Sequence, residues 1–281
     1  MGDYLGDYEL LEVLGEGSLG KSYLARHRFL NHQVVIKAFC EGLSCQDGFI
    51  ERFEEGIQNL TSIDHTHIVK TENVSCSGGR YFLVNKAIVD CFGKSSNLME
   101  YVTENQETMN EEWILDILSQ LATALSAIHS HQVANQPLAH RNIKLTNLLL
   151  GHGPKGLHLY VSDVGLGMIL GEDQILERLY KGLSHQSSLT SSPQHAQFLQ
   201  RYFFLAPEQK VIRRWGITPQ ADIYAFGVLT YFLLTQSFPE GAFPLPSSYN
   251  DAHRINWDRL IRESMHPNPL KRPSNILSWF K

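Results

Sequence analysis

The stretch His140-Arg141-Asn142-Ile143-Lys144-Leu145-Thr146-Asn147 decides how this chain of 281 residues is interpreted. It places two basic side chains beside two asparagines, and an aspartate, Asp163, follows in a later polar segment. An asparagine accepts a hydrogen bond through its amide oxygen, but it carries no negative charge and cannot take up a proton. The residue at position 142 therefore determines whether this stretch can support acid–base chemistry.

The composition around this stretch is that of an ordinary globular protein. Hydrophobic residues make up 43% of the chain and charged residues 19%. A chain of this length and composition can bury enough apolar surface to form two lobes. A formal net charge of −5 gives no electrostatic reason to expect nucleic acid or an anionic membrane as a partner. The longest apolar run, from Ile223 to Leu234, suits a buried helix and is too short to span a bilayer.

The N-terminus and the cysteines indicate a cytoplasmic setting. The first residues are acidic and lack an apolar segment, so no secretory signal is predicted. No C-x-x-C spacing occurs, and reduced thiols are expected rather than a zinc or redox site. The four cysteines are Cys40, Cys45, Cys76 and Cys91.

Two structural regimes follow one another along the chain. The first part is strand-like, with segments at Glu9–Leu14, Ser22–Arg26 and Val34–Phe39. One helix is predicted there, over Asp47–Ile63, from apolar residues at helical spacing. From Asn110, which would cap it, an apolar stripe with a 3.6-residue period predicts a long helix.

Two further segments read as irregular structure. Ile88–Asn97 has a turn-like composition and is the predicted hinge between the two regimes. Ile169–Gln200 is polar and predicts a long loop, with a Ser/Thr cluster at Ser187–Ser192.

Short motifs recur in order on either side of the opening stretch. Gly15-Glu16-Gly17-Ser18-Leu19-Gly20 is a G-x-G-x-x-G run, a pattern that a plain tight turn would also give. Because a strand rather than a helix follows it, the dinucleotide-binding fingerprint is excluded. The remaining motifs are Val34-Val35-Ile36-Lys37, Ser162-Asp163-Val164-Gly165 and Ala206-Pro207-Glu208.

In this order the motifs resemble those of the protein kinases. That family carries a glycine loop, a V-A-I-K strand, an H-R-D-L-x-x-x-N catalytic loop, D-F-G and A-P-E. Asp222 with Gly227, and Arg272 with Pro273, stand where the family places its central-helix aspartate and its late arginine. The chain resembles the Ser/Thr kinases of bacteria in two residues. Lys144, two residues after Asn142, is a feature of Ser/Thr kinases, and Gln209 at the end of A-P-E-Q is common in the bacterial branch.

The resemblance implies an α+β fold of two lobes with a cleft between them. Residues 1–88 would form a mostly β N-lobe with one helix and the glycine loop, and residues 89–281 a mostly α C-lobe with the catalytic loop and activation segment. Glu208 and Arg272 would form a buried ion pair, Asp222 would brace the catalytic loop, and His140 would be a packed core histidine. The chain can be a piece of a longer polypeptide.

The resemblance also implies a site for ATP and Mg²⁺. Asn147 and Asp163 would hold the metal, Lys37 the nucleotide phosphates, and Lys144 the charge of the phosphoryl group in transfer. Asn142 stands at the position of the catalytic base. The further nucleotide-contacting positions are Gly15, Gly17, Ser18, Gly20, Ser22, Val35 and Asn85, the last at the gatekeeper site.

Several residues depart from the family pattern. Asn142 replaces the aspartate that accepts the substrate's hydroxyl proton, and Gly56 stands where the N-lobe helix should supply the glutamate that pairs with the motif lysine. Ser22 replaces the roof valine, Val35 the small alanine, and Val164 the phenylalanine of D-F-G. A laboratory Asp→Asn change would give the same residue at 142, but the other departures favour natural divergence.

These departures lead to two functional hypotheses. The first is a Ser/Thr protein-kinase-like domain, a pseudokinase with absent or very weak phosphotransfer that acts through protein binding, either with ATP and Mg²⁺ bound or with nucleotide binding lost. The alternative is an active Mg·ATP-dependent Ser/Thr kinase that tolerates Asn142, and a different phosphoryl or nucleotidyl transfer in the same cleft is a third reading. Both the pseudokinase and the active kinase would bind a protein, the first as a partner and the second as a substrate. Thr190, Ser191 and Ser192 are candidate phosphorylation sites whose phosphate Arg141 would bind, and a Ser-rich loop that is never modified is the equal alternative.

Overall fold

The computed structural model describes residues 3–17, 20–40, 48–89, 94–106, 109–133, 135–153, 156–166, 202–210, 218–249 and 254–280. Within the first helix, the side chains at 52, 55 and 58–60 are also outside the described set. The predicted loop Ile169–Gln200, with Thr190, Ser191 and Ser192, lies wholly outside it, and so does Ser18.

The N-terminal part is a curled antiparallel sheet with one helix. Its elements are β1 (Tyr4–Leu5), β2 (Tyr8–Gly17), β3 (Gly20–His27), β4 (Gln33–Phe39), α1 (Phe49–Thr61), β5 (Thr71–Ser77) and β6 (Arg80–Lys86). The strand order in the sheet is β1-β2-β3-β4-β6-β5, so β5 lies at one edge. The predicted strands are confirmed and are somewhat longer than their apolar cores.

The two faces of this sheet bury different residues because side chains alternate along a strand. Val34, Ile36 and Ala38 of β4 are fully buried on one face, in a cluster with Tyr8 and Phe82. The opposite face carries Val35 and Lys37 of β4. It faces the C-terminal part, since Lys37 contacts Asp163 there.

Helix α1 packs on the sheet through aromatic residues at helical spacing. Phe49 and Phe53 are buried against Phe39 of β4 and Leu83 of β6. Phe39 and Phe53 meet edge-to-face, with ring centroids 5.6 Å apart. Gly56 lies inside the helix, so α1 forms despite a residue that disfavours helices by about 1 kcal/mol relative to alanine.

The C-terminal part is mostly helical. Its elements are β7 (Ser96–Asn97), α2 (Leu98–Glu104), α3 (Glu111–Ser130), β8 (Gln132–Val133), β9 (Gln136–Pro137), β10 (Leu148–Gly153), β11 (Gly156–Val161), α4 (Pro207–Lys210), α5 (Gln220–Thr235) and α6 (Trp257–Ser264). The predicted cap of α3 is confirmed, since Asn110 Oδ1 accepts a hydrogen bond of 2.9 Å from the Trp113 amide. Helix α5 is apolar on all sides and is buried along most of its length, as expected of a central helix.

Backbone hydrogen bonds join the two parts beside the hairpin β10–β11. The Val69 amide donates to Val161 O at 2.9 Å, and the Val161 amide donates to His67 O at 2.8 Å. This hairpin begins just after Asn147 and ends just before Asp163, so it sets both residues at the junction of the lobes. Of the predicted hinge Ile88–Asn97, residues 90–93 are outside the described set.

The α+β, two-lobed architecture predicted from the motifs is confirmed. Among the described residues, no helix combines the length and apolar character needed to cross a bilayer.

Candidate active site

The loop His140–Asn147 is anchored from below by Asp222, near the start of α5. The Asp222 carboxylate accepts the His140 amide at 2.7 Å and the Arg141 amide at 2.8 Å. His129 Nε2 donates to the same carboxylate at 2.9 Å. Burial would raise the pKa of Asp222, but the His129 hydrogen bond and charge outweigh it, so the pKa is lowered overall. The predicted bracing role of Asp222 is therefore confirmed.

His140 is fully buried and neutral. Burial lowers the pKa of its imidazole, against the nearby charge of Asp222. Its Nδ1 accepts from the Asn142 amide at 3.3 Å, so Nε2 carries the proton and donates to Ser162 O at 2.8 Å. His140 thus connects the loop to the residue before Asp163 without taking part in chemistry, as the sequence suggested.

Asn142 lies half-buried at the position expected for a catalytic base. Its carbonyl oxygen accepts a hydrogen bond of 2.9 Å from Asn147 Nδ2. The backbone geometry of the loop is therefore in place around a side chain that has no carboxylate. This position can accept a hydrogen bond from a hydroxyl, but it cannot remove the proton.

Asn147 and Asp163 are held together by the backbone. The Ser162 amide donates to Asn147 O at 2.9 Å, and the Ser162 hydroxyl donates to the same oxygen at 3.1 Å. Asn147 is buried, and Asp163 adopts a left-handed backbone conformation, with φ of 63°. Because Asn147 Nδ2 is bound to Asn142, its Oδ1 remains as a ligand atom next to a carboxylate.

Lys37 crosses from the sheet to meet Asp163. Its ammonium contacts Asp163 Oδ2 in an ion pair whose side chains are only 13% and 12% exposed. Burial would raise the pKa of Asp163, but the charge and hydrogen bond of Lys37, with a smaller contribution from the charge of Lys144, lower it overall. The carboxylate is therefore ionised at neutral pH.

Helix α1 carries Gly56, the residue that the sequence analysis placed at the position of the glutamate that pairs with the motif lysine. Gly56 occupies α1 and offers no side chain, while Glu54 is exposed to solvent. Glu55 has its side chain outside the described set. The partner that the structure shows for Lys37 is Asp163, on the opposite lobe.

The described glycines of the glycine run lie where β2 ends and β3 begins. Gly17 pairs with Gly20, Gly15 pairs with Ser22, and Ser22 pairs with Lys37. At Gly20 only glycine fits: φ is +141°, and a Cβ atom there would lie 2.0 Å from Ala38 O. The hairpin therefore brings backbone amides and Ser22 to the same face of the sheet as Lys37.

The inner end of the cleft is lined by β4, β5 and β6. Val35 pairs with Asn85, and Asn85 pairs on its other side with Thr71. Thr71 Oγ1 donates to Asn85 Oδ1 at 2.9 Å. Thr71, Asn85 and Asp163 line a cavity of about 20 Å³, room for about one water molecule.

Val164 and Leu166 share the apolar contacts next to Asp163. Val164 packs against both the large C-lobe core and the aromatic cluster of α1. Leu166, which the motif comparison did not single out, is buried among Phe39, Phe49 and Phe53. The only hint in the sequence is that an apolar residue follows two positions after the shortened Val164.

A buried ion pair fixes the far side of the C-lobe. Arg272 Nη1 and Nη2 donate to the two oxygens of Glu208 at 2.6 and 2.7 Å, and both side chains are almost fully buried. This confirms the predicted Glu208–Arg272 pair. Gln209 was missed as a contact: its Nε2 donates to Arg141 O at 2.9 Å, and its Oε1 accepts the Ala206 amide at 3.0 Å.

The residues present fit a magnesium-bound nucleotide. Mg²⁺ prefers oxygen ligands, commonly one or two carboxylates with substrate phosphates, and Asn147 Oδ1 and the Asp163 carboxylate supply oxygens at one place. Lys37 and Lys144 supply positive charge beside them. The donor set is therefore compatible with a phosphate and a cation, and Asn142 supplies no carboxylate beside it.

The chain is similar in sequence to serine/threonine-protein kinases of bacteria. The chain is 32% identical over 274 residues to the serine/threonine-protein kinase pkn1 of Chlamydia caviae, covering 98% of this chain and 41% of that protein. It is 29% identical over 235 residues to the serine/threonine-protein kinase PrkC of Bacillus subtilis, covering 83% of this chain and 31% of that protein. The chain thus spans about two fifths or less of the length of these curated relatives.

The same fold occurs in the crystal structure of the Mycobacterium tuberculosis PknI kinase domain. The two superpose with a TM-score of 0.69 at 16% identity, covering 99% of this chain and 96% of that one. Residues 8–276 match the family described as the protein kinase domain. This chain therefore belongs to the protein kinase family.

Proposed function

We propose that this chain is a Ser/Thr protein-kinase-like domain that binds Mg·ATP in the cleft, transfers phosphate very weakly or not at all, and acts mainly by binding another protein. The observation that supports the proposal is a cluster of residues suited to phosphate and a cation, next to an asparagine at the position proposed for the base. Lys37, Asn147 and Asp163 are brought together, whereas Asn142 has the right backbone but no carboxylate.

Each residue then has a defined role. Lys37 neutralises the nucleotide phosphates, and Asn147 Oδ1 with Asp163 holds the magnesium ion. When bound, that ion would supply positive charge to offset that of the phosphates. Lys144 adds positive charge near the phosphoryl group, while Asn142 can only orient a substrate hydroxyl. A cytoplasmic location fits a domain that needs ATP.

The size of the expected loss follows from general acid–base catalysis. A positioned base contributes about 10²–10⁴-fold to a rate. The missing side chain at Gly56 removes a second support of Lys37, so the two losses together place phosphotransfer far below that of an intact kinase. The partner is a protein because the family acts on protein hydroxyl groups.

The second candidate is an active Ser/Thr kinase that tolerates Asn142. It is favoured by the presence of Lys37, Lys144, Asn147 and Asp163, and by the names of the Chlamydia and Bacillus relatives. In that case Asn142 would orient the hydroxyl, and its proton would pass to solvent or to the phosphate itself.

The test measures nucleotide binding and phosphotransfer separately. Calorimetry with Mg·ATP should show binding that is lost in Lys37→Ala, while the intact mass after incubation with Mg·ATP stays unchanged. Asn142→Asp should raise phosphotransfer to a generic protein substrate by less than about tenfold, because Gly56 is unrepaired. Added phosphate in the unmodified chain that disappears in Lys37→Ala would support the active kinase instead. A gain of several orders of magnitude in Asn142→Asp would overturn the proposed joint loss at Asn142 and Gly56.

A further inference from the structure

Two histidine side chains cross the junction between the lobes in opposite directions. His67, in the connection between α1 and β5, places its Nδ1 3.0 Å from Leu159 O of β11. His158, on β11, places its Nε2 3.0 Å from Thr66 O of that connection. Since a carbonyl oxygen only accepts hydrogen bonds, each of these ring nitrogens carries a proton and donates it across the junction.

The rings of the two histidines also stack on each other. The centroids of His67 and His158 lie 4.3 Å apart, and the ring planes differ by 20°. The same two segments are joined by the backbone bonds between Val69 and Val161 and between Val161 and His67. The neutral histidine pair is therefore part of the joint that holds β11 against the N-lobe.

A third histidine, His65, completes the cluster. Its ring centroid lies 5.7 Å from that of His67, and its Nδ1 accepts the His67 amide at 3.2 Å. Burial lowers the pKa of His65, so the ring is neutral at pH 7 and this bond is kept. Because Nδ1 is the acceptor, Nε2 carries the proton of the neutral ring, and a proton added at Nδ1 would break the bond.

The charges around His67 can offset one added proton but not two. Burial lowers the pKa of His67 most, and the charges of His158 and His65 lower it further. A backbone hydrogen bond and the Asp116 carboxylate of α3 raise it. Tyr160, whose ring centroid is 4.7 Å from that of His158, adds no charge at neutral pH. Within the described part of the chain, the carboxylate that acts on His67 is a single exposed one, so a second proton on the cluster meets uncompensated positive charge.

We propose that His65, His67 and His158 form an acid-sensitive joint between the lobes, which keeps its contacts with one added proton and loosens with a second. Two imidazolium rings stacked at this distance repel each other, and a proton on His65 removes the acceptor of the His67 amide. Because β11 ends just before Asp163, a loosened joint also frees the residue that pairs with Lys37. The proposal does not depend on nucleotide binding.

The pH range of the effect follows from proton linkage. A histidine whose pKa in the closed joint lies below its ordinary value of about 6.5 binds fewer protons there than in the opened joint. The joint is therefore fully stable above about pH 6.5 and loses stability as the pH falls toward the lowered value. For one histidine, a pKa lowered by one unit corresponds to a change of about tenfold in the opening equilibrium.

Amide hydrogen exchange measures this opening at the joint itself. The reporters are the Val69 and Val161 amides, which donate across the junction. In the unmodified chain, their protection factors, corrected for the intrinsic rate at each pH, should be about tenfold lower at about pH 5 than at about pH 7.5.

Neutral variants assign the effect to the cluster. His67→Asn keeps an amide donor at the place of Nδ1, and His158→Gln keeps one at the place of Nε2, but neither side chain can take up a proton. In the double variant, the fall in protection between the two pH values should shrink to less than about threefold. His152→Gln is the matched control, because His152 is exposed on the paired strand β10, and the full fall should remain.

A second measurement does not require the double variant to fold. The ring signals of His67 in the unmodified chain, followed by NMR, should titrate below the ordinary value of about 6.5, and in His158→Gln alone the midpoint should rise. A tenfold fall in protection that the double variant removes supports the joint. Protection that does not change with pH, a fall that persists in the double variant, or a His67 ring that titrates at the ordinary value overturns it.

Discussion

The framework beneath the catalytic loop and the cleft above it differ in how closely they follow the kinase pattern. In the framework, Asp222, Glu208 and Arg272 match the family's motifs, are buried and make two or more hydrogen bonds each. In the cleft, Asn142 and Val164 depart from those motifs. The residues that build this fold and the residues at its catalytic positions are therefore largely separate. The catalytic positions can change in sequence while the framework keeps the family's residues.

The largest test of this division is the ion pair in the framework. Arg272→Met leaves the Glu208 carboxylate buried without a partner and removes bonds to Gln220 O and His266 O. Breaking a buried pair from one side costs about 3–5 kcal/mol, so the free energy of unfolding in urea should fall by that amount.

The control for this prediction is an ion pair on the surface. Arg259→Met breaks the exposed contact of 2.7 Å with Glu263, and its cost should be under about 1 kcal/mol. The double variant Glu208→Leu with Arg272→Met should recover much of the loss, since no unpaired charge remains. Equal costs for Arg272→Met and Arg259→Met would remove the distinction between framework and surface.

The framework is also the part that the sequence predicted best. The strands, α1, the cap of α3, the bracing by Asp222 and the Glu208–Arg272 pair could be expected because each rests on local periodicity or on a motif with a fixed partner. Such features need only the order of residues along the chain.

The contacts in the cleft depend on register between distant segments, which a single sequence does not give. Thr71 meets Asn85 only because a bulge between Thr71 and Asn73 shifts the pairing of β5 with β6. Gln209 reaches Arg141 O across 68 residues, and Leu166 is buried under a helix from the other lobe. These contacts depend on how the lobes pack, and no sequence motif predicts them.

A second test concerns the glycine hairpin, where a cleft residue is also structural. Gly20→Ala forces a β-carbon to within 2.0 Å of Ala38 O in a left-handed backbone, and we expect a loss of about 2–4 kcal/mol in stability. Gly15→Ala is the matched control, because nothing lies within 4 Å of its β-carbon position. Thermal unfolding of the two variants measures the difference, and a Gly15→Ala variant as unstable as Gly20→Ala would contradict it.

A third test sharpens the comparison by pH. In Lys37→Met, burial of Asp163 is no longer offset by the lysine, so the folded-state pKa of this carboxyl moves from below its ordinary value to above it. In the unmodified chain, the stability due to ionised Asp163 is present above the ordinary carboxyl pKa and is lost as pH falls through the lowered one. In the variant the pH dependence of stability is opposite. The folded state then binds more protons than the unfolded state, so stability falls as pH rises.

The stability gap between the unmodified chain and Lys37→Met should therefore widen as pH rises from about 4 to 7, reaching about 1.5–3 kcal/mol. Urea unfolding at several pH values measures it. Lys21→Met, which breaks an exposed contact with Glu16, should show a small gap without this pH dependence. A gap for Lys37→Met that is constant with pH would mean that Asp163 is not the group it supports.

The smallest expected effect is at Gln209, where the framework meets the loop that carries Asn142. Arg141 has a left-handed backbone, with φ of 65°, and both ends of its backbone are held: Asp222 accepts its amide and Gln209 donates to its carbonyl. Gln209→Leu removes the second of these and also the acceptor of the Ala206 amide. The free energy of unfolding should therefore fall by about 1–2 kcal/mol, against almost no change for the exposed Gln33→Leu. Mg·ATP affinity should change less than twofold, because Ser162 independently ties Asn147 to Asp163. A large loss of affinity in calorimetry, with stability unchanged, would show that the loop and the cation site are one unit and that the division between framework and cleft fails at this residue.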